Sequence, residues 1–307
     1  MSRVAAVDCG TNSIRLLIAE IDAAAGGQHD LDRQLRIVRL GQGVDSSGRL
    51  ADEALERTMT ALTEYVEIIE RLGAEQVRMV ATSATRDASN AQEFVDGVQR
   101  ILGVDPEVVT GDDEAALSFA GATRELGTER PGPYLVADIG GGSTELVSGW
   151  AGLDAARSID IGSVRVTERH FAQDPPSPDE VAAARSDIDA ALDDAAATVP
   201  LGEAGTLIGL AGTITTIGAI HLGLTAYDSS LVHHARVPAR AVAEISDRLL
   251  AATHDERAAI SVIHPGRLDV IAAGSLILRR LVEHSGVDEV LVSERDILDG
   301  IAWSIAL

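Results

Sequence analysis

Lysine is absent: none of the 307 residues is lysine, and all 25 basic residues are arginine. The phosphate loop of the form Gly-x-x-x-x-Gly-Lys is thereby excluded. Cysteine is nearly absent. Cys9 stands alone, so no intramolecular disulfide forms and a reducing compartment is expected. Its sequence neighbours suggest a packed small residue rather than a nucleophile. Aromatic residues make up only 3%, which leaves aliphatic side chains and alanine to fill the core. No apolar run is long enough to span a bilayer, and the charged, strand-like start does not resemble a signal peptide. The expectation is a cytoplasmic protein without membrane association. Acidic residues outnumber basic ones 48 to 25, for a net charge of −23. Nucleic-acid binding shows as a basic excess, so nucleic acid is not an expected partner. The same charge repels a polyanion at long range, unless metal ions and local arginines reverse the field at a site.

What is present suffices for one large or two moderate α/β domains, with 46% hydrophobic residues. The stretch that organises the chain is Val136-Ala137-Asp138-Ile139-Gly140-Gly141-Gly142-Ser143-Thr144-Glu145-Leu146-Val147. An apolar strand runs into Asp138, three glycines turn, and an extended pattern resumes. Glycine lets backbone bend sharply or lie against a ligand, and successive N–H groups at such a turn suit phosphate oxygens. Asp138, Ser143 and Glu145 offer the hard oxygen ligands magnesium prefers. An ordinary Gly-rich hairpin is the alternative reading. A second copy favours the phosphate reading: Val7-Asp8-Cys9-Gly10-Thr11-Asn12-Ser13-Ile14 aligns without gaps, Asp8 on Asp138, Gly10 on Gly140 and Ser13 on Ser143. Two such units predict two similar domains facing each other across a central cleft. Neither unit opens a helix after its turn, as the dinucleotide fingerprint requires.

Along the chain, Arg3–Gly10 and Ile14–Ile21 read as a hairpin and Leu35–Leu40 as a strand. Leu55, Met59, Leu62, Val66 and Ile69 recur at helical spacing up to Gly73. Val77–Ala81 reads as a buried strand leading to Arg86, and Ala91–Leu102 as a short helix. Asp112, Asp113 and Glu114 open another helix, where the helix dipole alone accounts for acidic residues. The turn-rich segment Gly127–Pro133 reads as the linker. This places an N-terminal domain at 1–126 and a C-terminal one at 127–307. Ser177-Pro178-Asp179-Glu180 combines an N-cap serine, proline at the first helical position and a capping-box glutamate. Gly212 and Thr213 follow the buried strand Thr206–Ala211 and precede a helix, whose first N–H groups can hold phosphate or a nucleotide. His233 and His234 lack partners at ligand-like spacing and are not assigned to a metal.

Several of these segments, in this order, resemble the exopolyphosphatase and guanosine pentaphosphate phosphohydrolase family, within the superfamily of actin and the sugar kinases. They are Ala6–Ser13, Ala81–Arg86, Gly111–Ala115, Asp138–Glu145, Gly162–Glu168 and Gly212-Thr213. The resemblance implies two ribonuclease-H-like, actin-like domains with mixed sheets, the final helix crossing back to the first domain, and a homodimer. It implies an exopolyphosphatase that releases terminal orthophosphate from polyphosphate, with hydrolysis of pppGpp or a non-catalytic phosphate or nucleotide sensor as alternatives. An actin-like kinase would need an acceptor site, which no motif reveals. The chain lacks the extra helical domain of longer relatives, so short chains are the expected substrates. Glu114 matches the family's catalytic glutamate and is the expected general base. Asp113 replaces the preceding glutamate, and Ala116 stands where an arginine is common. Arg86 is expected to grip phosphate, with a surface ion pair as its alternative. Asp138 and Glu145 are the expected ligands of Mg2+. Asp8, Gly10, Thr11, Asn12 and Ser13 are expected to bind substrate, as are Gly140, Gly141, Gly142, Ser143, Gly212 and Thr213. Within the two turns, the N–H groups of Gly10–Asn12 and Gly140–Gly142 are the expected cradle. Ser293–Gly300 departs from the family pattern and supplies no site residue.

Overall fold

A computed structural model describes residues 1–126, 131–150 and 152–306. The chain divides into two compact units: Met1–Gly121 with the segment from Ile297 on, and Ala122–Asp296. The expected linker at 127–133 falls partly, at 127–130, outside the described residues.

The first unit is built on β1 (Ser2–Cys9), β2 (Ser13–Asp22), β3 (Gly27–Ile37), β4 (Gln76–Ala81) and β5 (Glu107–Val108). Their order across the sheet is β3-β2-β1-β4-β5. The two hairpin pairs are antiparallel, whereas β1, β4 and β5 run parallel. The second unit holds β6 (Tyr134–Ile139), β7 (Thr144–Gly149), β8 (Leu153–Ile159), β9 (Thr206–Leu210), β10 (Arg236–Pro238) and β11 (Glu289–Val292). Its order, β10-β11-β9-β6-β7-β8, repeats the first arrangement with β10 added antiparallel at one edge. Both sheets are the mixed, ribonuclease-H-like kind expected from the duplicated hairpin.

Side-chain alternation along β1 sorts its residues onto two faces. Ala5, Val7 and Cys9 join Leu62, Tyr65 and Phe94 in one core, while Val4 and Ala6 join Leu17 and Ala19 in another. The helix Asp52–Leu72 covers the first face and ends at Gly73, whose φ of 67° lets its N–H reach the carbonyls of Ile69 and Glu70. The helix Ile297–Ala306 covers the second, through Ile297, Leu298, Ile301 and Ala302. Cys9 is fully enclosed, and burial followed by the Asp8 charge pushes its thiol well above its ordinary pKa. In the second unit, Leu135, Ala137 and Leu146 pack with Ile188, Leu192, Ile214 and Leu276 from flanking helices. Among the described residues no helix is long and apolar enough to cross a membrane.

Among the strands, β3, β5 and β10 differ from the sequence reading; β5 was unforeseen and is only two residues long. β3 begins at Gly27 rather than near Leu35, pairing with β2 as far as Asp22. Its added length is polar and half-exposed, so it carries no alternating signal. β10 was unforeseen; it is three residues long and ends at Pro238, a residue suited to an edge.

The helix Pro178–Ala196 begins with the expected reciprocal cap: Ser177 accepts the Glu180 N–H and Glu180 accepts the Ser177 N–H. Ser177→Ala should therefore lower stability by about 1 kcal/mol. A shift of the urea midpoint at unchanged slope checks this value.

Candidate functional site

Asp8 ends β1 and lies opposite Arg15 on β2. Arg15 donates from Nε at 2.9 Å and from Nη2 at 2.6 Å, both to Asp8 Oδ2. Asp138 ends β6 in the equivalent place, but its cross-strand partner is Glu145. The gapless overlay that matches Asp8 with Asp138 also matches Arg15 with Glu145. One hairpin thus carries a neutralised carboxylate, and the other a pair of carboxylates. Arg15 was not singled out from the sequence, although the gapless overlay sets it against Glu145.

The turns between these strands share one closure. Gly10 N–H donates to Ser13 O at 2.9 Å, and Gly140 N–H donates to Ser143 O at 3.0 Å. This corrects the expected cradle, because those two N–H groups are consumed by the turns themselves. The carbonyls within the turns are also engaged. Thr11 O accepts from Gly41 N–H, and Asn12 O from the N–H groups of Val38 and Arg39. Gly140 O accepts from Ser163 N–H, and Gly141 O from Val164 and Arg165 N–H. A trans peptide points its N–H opposite to its C=O. The N–H groups of Asn12 and Ser13, and of Gly141 and Gly142, therefore face away from these tethers. Thr11 Oγ1 bonds Ser83 Oγ at 2.9 Å in a buried contact, which ties the first turn to the helix Ser83–Asp87.

Arg86, from that same helix, meets Glu114. Its Nη1 donates to Val109 O at 2.7 Å and to Glu114 Oε2 at 3.2 Å. The two expected catalytic residues are thus in contact, and the ion pair considered for Arg86 is formed with the other member of the set. The helix Gly111–Thr123 treats its three leading acids differently. Asp112 and Asp113 are exposed, and Asp113 bonds the Thr110 hydroxyl in a cap. Glu114 is only 9% exposed. Dipole complementation explains the first two; it does not explain a buried third.

Glu145 is 1% exposed, and its Oε1 accepts from Ser143 Oγ at 2.7 Å and Ser158 Oγ at 2.8 Å. Ser158 on β8 was missed, because only the register Glu145↔Ser158 places it there. Carboxylate and hydroxyl oxygens are the donor types magnesium takes. Among the described residues, however, no group of three or more His, Cys, Asp or Glu could hold a metal. Such an ion would complete its shell from water and substrate oxygens.

Gly212 and Thr213 begin the helix Ala211–His221 after β9. Ala211 holds φ at 64°, a left-handed conformation costing on the order of 1 kcal/mol for a residue with a Cβ. A Cβ on Gly212 would lie 2.2 Å from Arg267 Cζ, so glycine lets that guanidinium cover the helix start. Arg267 Nη1 donates to Gly212 O at 3.3 Å. It was invisible to motif reasoning because it lies 55 residues away in sequence. His233 and His234 stack with ring centroids 3.8 Å apart, and His233 Nδ1 accepts from Glu294 N–H.

Removing one member of a largely buried ion pair costs on the order of 3 kcal/mol. With 16% and 6% side-chain exposure, the Arg15–Asp8 pair qualifies. Arg15→Ala should lose about that much in chemical denaturation, and Arg15→Lys should restore part of it. A loss within experimental error in Arg15→Ala would show the pair to be incidental.

The Ppx/GppA phosphatase family matches residues 17–307. A Mycobacterium tuberculosis protein named exopolyphosphatase 2 is 50% identical over 317 aligned positions, covering 100% of this chain and 99% of that one. The crystal structure of an exopolyphosphatase-like protein superposes with a TM-score of 0.95 at 42% identity, over 99% of this chain and 97% of the other. The Aquifex aeolicus PPX-GPPA enzyme superposes with a TM-score of 0.82 at 33% identity, over 99% of both chains. The chain belongs to the Ppx/GppA phosphatase family.

Proposed function

We infer that the protein is an exopolyphosphatase, a phosphoanhydride hydrolase that releases terminal orthophosphate from inorganic polyphosphate. What carries this reading is its end-to-end likeness to a protein named exopolyphosphatase 2, in a chain where buried Glu114 is set apart from exposed Asp112 and Asp113. Short polyphosphates are the preferred substrates in this reading, and hydrolysis of the 5′-phosphate of pppGpp, by the same chemistry, is the second candidate activity.

Phosphoanhydride hydrolysis needs a positioned water, neutralisation of charge on the transferred group, and alignment of attacking and leaving oxygens. Water attacks the terminal phosphorus, the bridging P–O bond breaks, and its electrons leave with the shortened chain. Glu114 takes the proton that water gives up. Arg86 holds the Glu114 carboxylate and presents a forked cation suited to phosphate oxygens. The outward-facing amides of Gly141 and Gly142, together with Thr213 and the first N–H groups of its helix, bind phosphate oxygens. Asp138 and Glu145, with Ser143, would hold magnesium, which would supply neutralisation of phosphate charge and Lewis-acid polarisation of phosphorus. Cytoplasmic location and a homodimer complete the proposal.

The deciding assay compares orthophosphate release from short polyphosphate, long polyphosphate, pppGpp and ATP, with magnesium and with chelator. Glu114→Gln keeps size and hydrogen-bonding capacity but takes up no proton, so turnover should fall about a hundred- to ten-thousand-fold. Asp113→Asn alters an exposed cap in the same turn and should leave turnover nearly intact. Equal, modest losses in both variants would return Glu114 to a role in first-turn electrostatics.

Asp138→Asn tests the metal assignment separately. The activity titration with magnesium should shift to higher concentration, while the melting temperature moves little. Full activity at limiting magnesium would refute the assignment.

A further inference from the structure

The motif Gly162-Ser163-Val164-Arg165 supplies no group to the chemistry above, yet it surrounds the back of the second glycine turn. The helix Ser163–His170 meets that turn with its first N–H groups. Ser163 N–H and Oγ both donate to Gly140 O, at 2.9 and 3.2 Å. Val164 and Arg165 N–H donate to Gly141 O at 2.9 and 3.1 Å. The third carbonyl, Gly142 O, lies beyond the reach of the helix backbone and accepts instead from Arg165 Nε at 2.7 Å. The Arg165 side chain is 12% exposed, with Nη2 at 3.9 Å from Asp160 Oδ1. Gly162 makes this approach possible: a Cβ there would lie 2.4 Å from Gly141 C and 2.6 Å from Gly142 C, both backbone atoms that must then move.

We propose that Arg165 is a positioning residue for phosphate binding, fixing the Gly142 carbonyl so that the Ser143 amide joins those of Gly141 and Gly142 on the opposite side of the turn. The peptide geometry requires this coupling. Each of three consecutive carbonyls is held by the Ser163–His170 segment, so each following N–H points the other way. Three convergent amides make an anion-binding concavity. Without Arg165 the last peptide plane is free to rotate, and one of the three donors is lost from the set. The charged guanidinium makes this the strongest of the tethers, since hydrogen bonds from ionised donors exceed neutral ones. The inference deepens the proposed function and rests on it for the identity of the anion.

The test measures orthophosphate affinity by calorimetry and KM and kcat for tripolyphosphate in wild type, Arg165→Ala, Arg165→Lys and Gly162→Ala. Arg165→Ala should weaken orthophosphate binding and raise KM about tenfold, as loss of one charge-assisted contact implies, while kcat falls less. Arg165→Lys, which returns a donor to the same carbonyl, should recover much of the affinity. Gly162→Ala should reproduce the defect with Arg165 present, and it carries the test if Arg165→Ala does not fold. Unchanged affinity in folded Arg165→Ala or Gly162→Ala would overturn the proposal, as would a lysine variant no better than alanine. A wild type that binds orthophosphate but releases none from tripolyphosphate would instead sink the functional reading, leaving the binding comparison to judge Arg165.

Discussion

A carbonyl held in one direction holds the next amide in the other, because the peptide unit is planar and trans. Both hairpin turns depend on this constraint. Each closes on a single N–H bond, from Gly10 to Ser13 and from Gly140 to Ser143, and the segment after the third strand ties back Thr11 O and Asn12 O in one and the three glycine carbonyls in the other. In the first unit the ties come from Val38, Arg39 and Gly41; in the second from Ser163, Val164 and Arg165. Glycine admits the geometry, but the neighbouring segment selects it. The direction of the amides is thus a property of packing.

Charge is organised by the same strand register. In two hairpins of one pattern, the residue opposite the strand-end aspartate is arginine in one and glutamate in the other. Arg15 neutralises Asp8, so the first hairpin is suited to ordering its turn. Asp138 beside Glu145 concentrates negative charge at the second, which suits a cation. Elsewhere, arginines distribute the net charge of −23 among local pairs, such as Arg280 with Asp189 and Arg33 with Asp299. Buried Arg257 is satisfied by two carbonyls and Asp174. A forked, permanently charged donor can make such multiple contacts where a lysine ammonium would be costly to enclose.

With few aromatic residues, close packing falls to small aliphatic ones, and glycines let elements approach. A Cβ on Gly209 would lie 2.6 Å from Ile214, one on Gly274 2.5 Å from Thr213, and one on Gly300 2.1 Å from Leu117 O. Interiors at crystal-like density leave no room for such additions. The Gly274 contact presses Thr213 from behind, so core packing and the start of the Ala211–His221 helix are linked.

The duplicated strand–Asp–turn–strand pattern, the helices at Asp52–Leu72 and Ala91–Leu102, and the Ser177 cap were legible in the chain, because periodicity, glycine and capping residues act over a few positions. So was the identity of Glu114, Arg86, Asp138 and Glu145 as candidates, since their neighbours in sequence carry the motifs. The polar half of β3 was not, because an exposed edge leaves no alternation. Nor was the burial that separates Glu114 from Asp113, or its contact with Arg86, 28 residues away. Arg15, Ser158, Arg165 and Arg267 acquire their places through strand register and helix docking. Sequence by itself determined the local conformations and the chemical inventory, since these follow from interactions between near neighbours. Only tertiary structure decided which oxygens, amides and guanidinium groups meet, because those contacts are set by long-range packing within each unit.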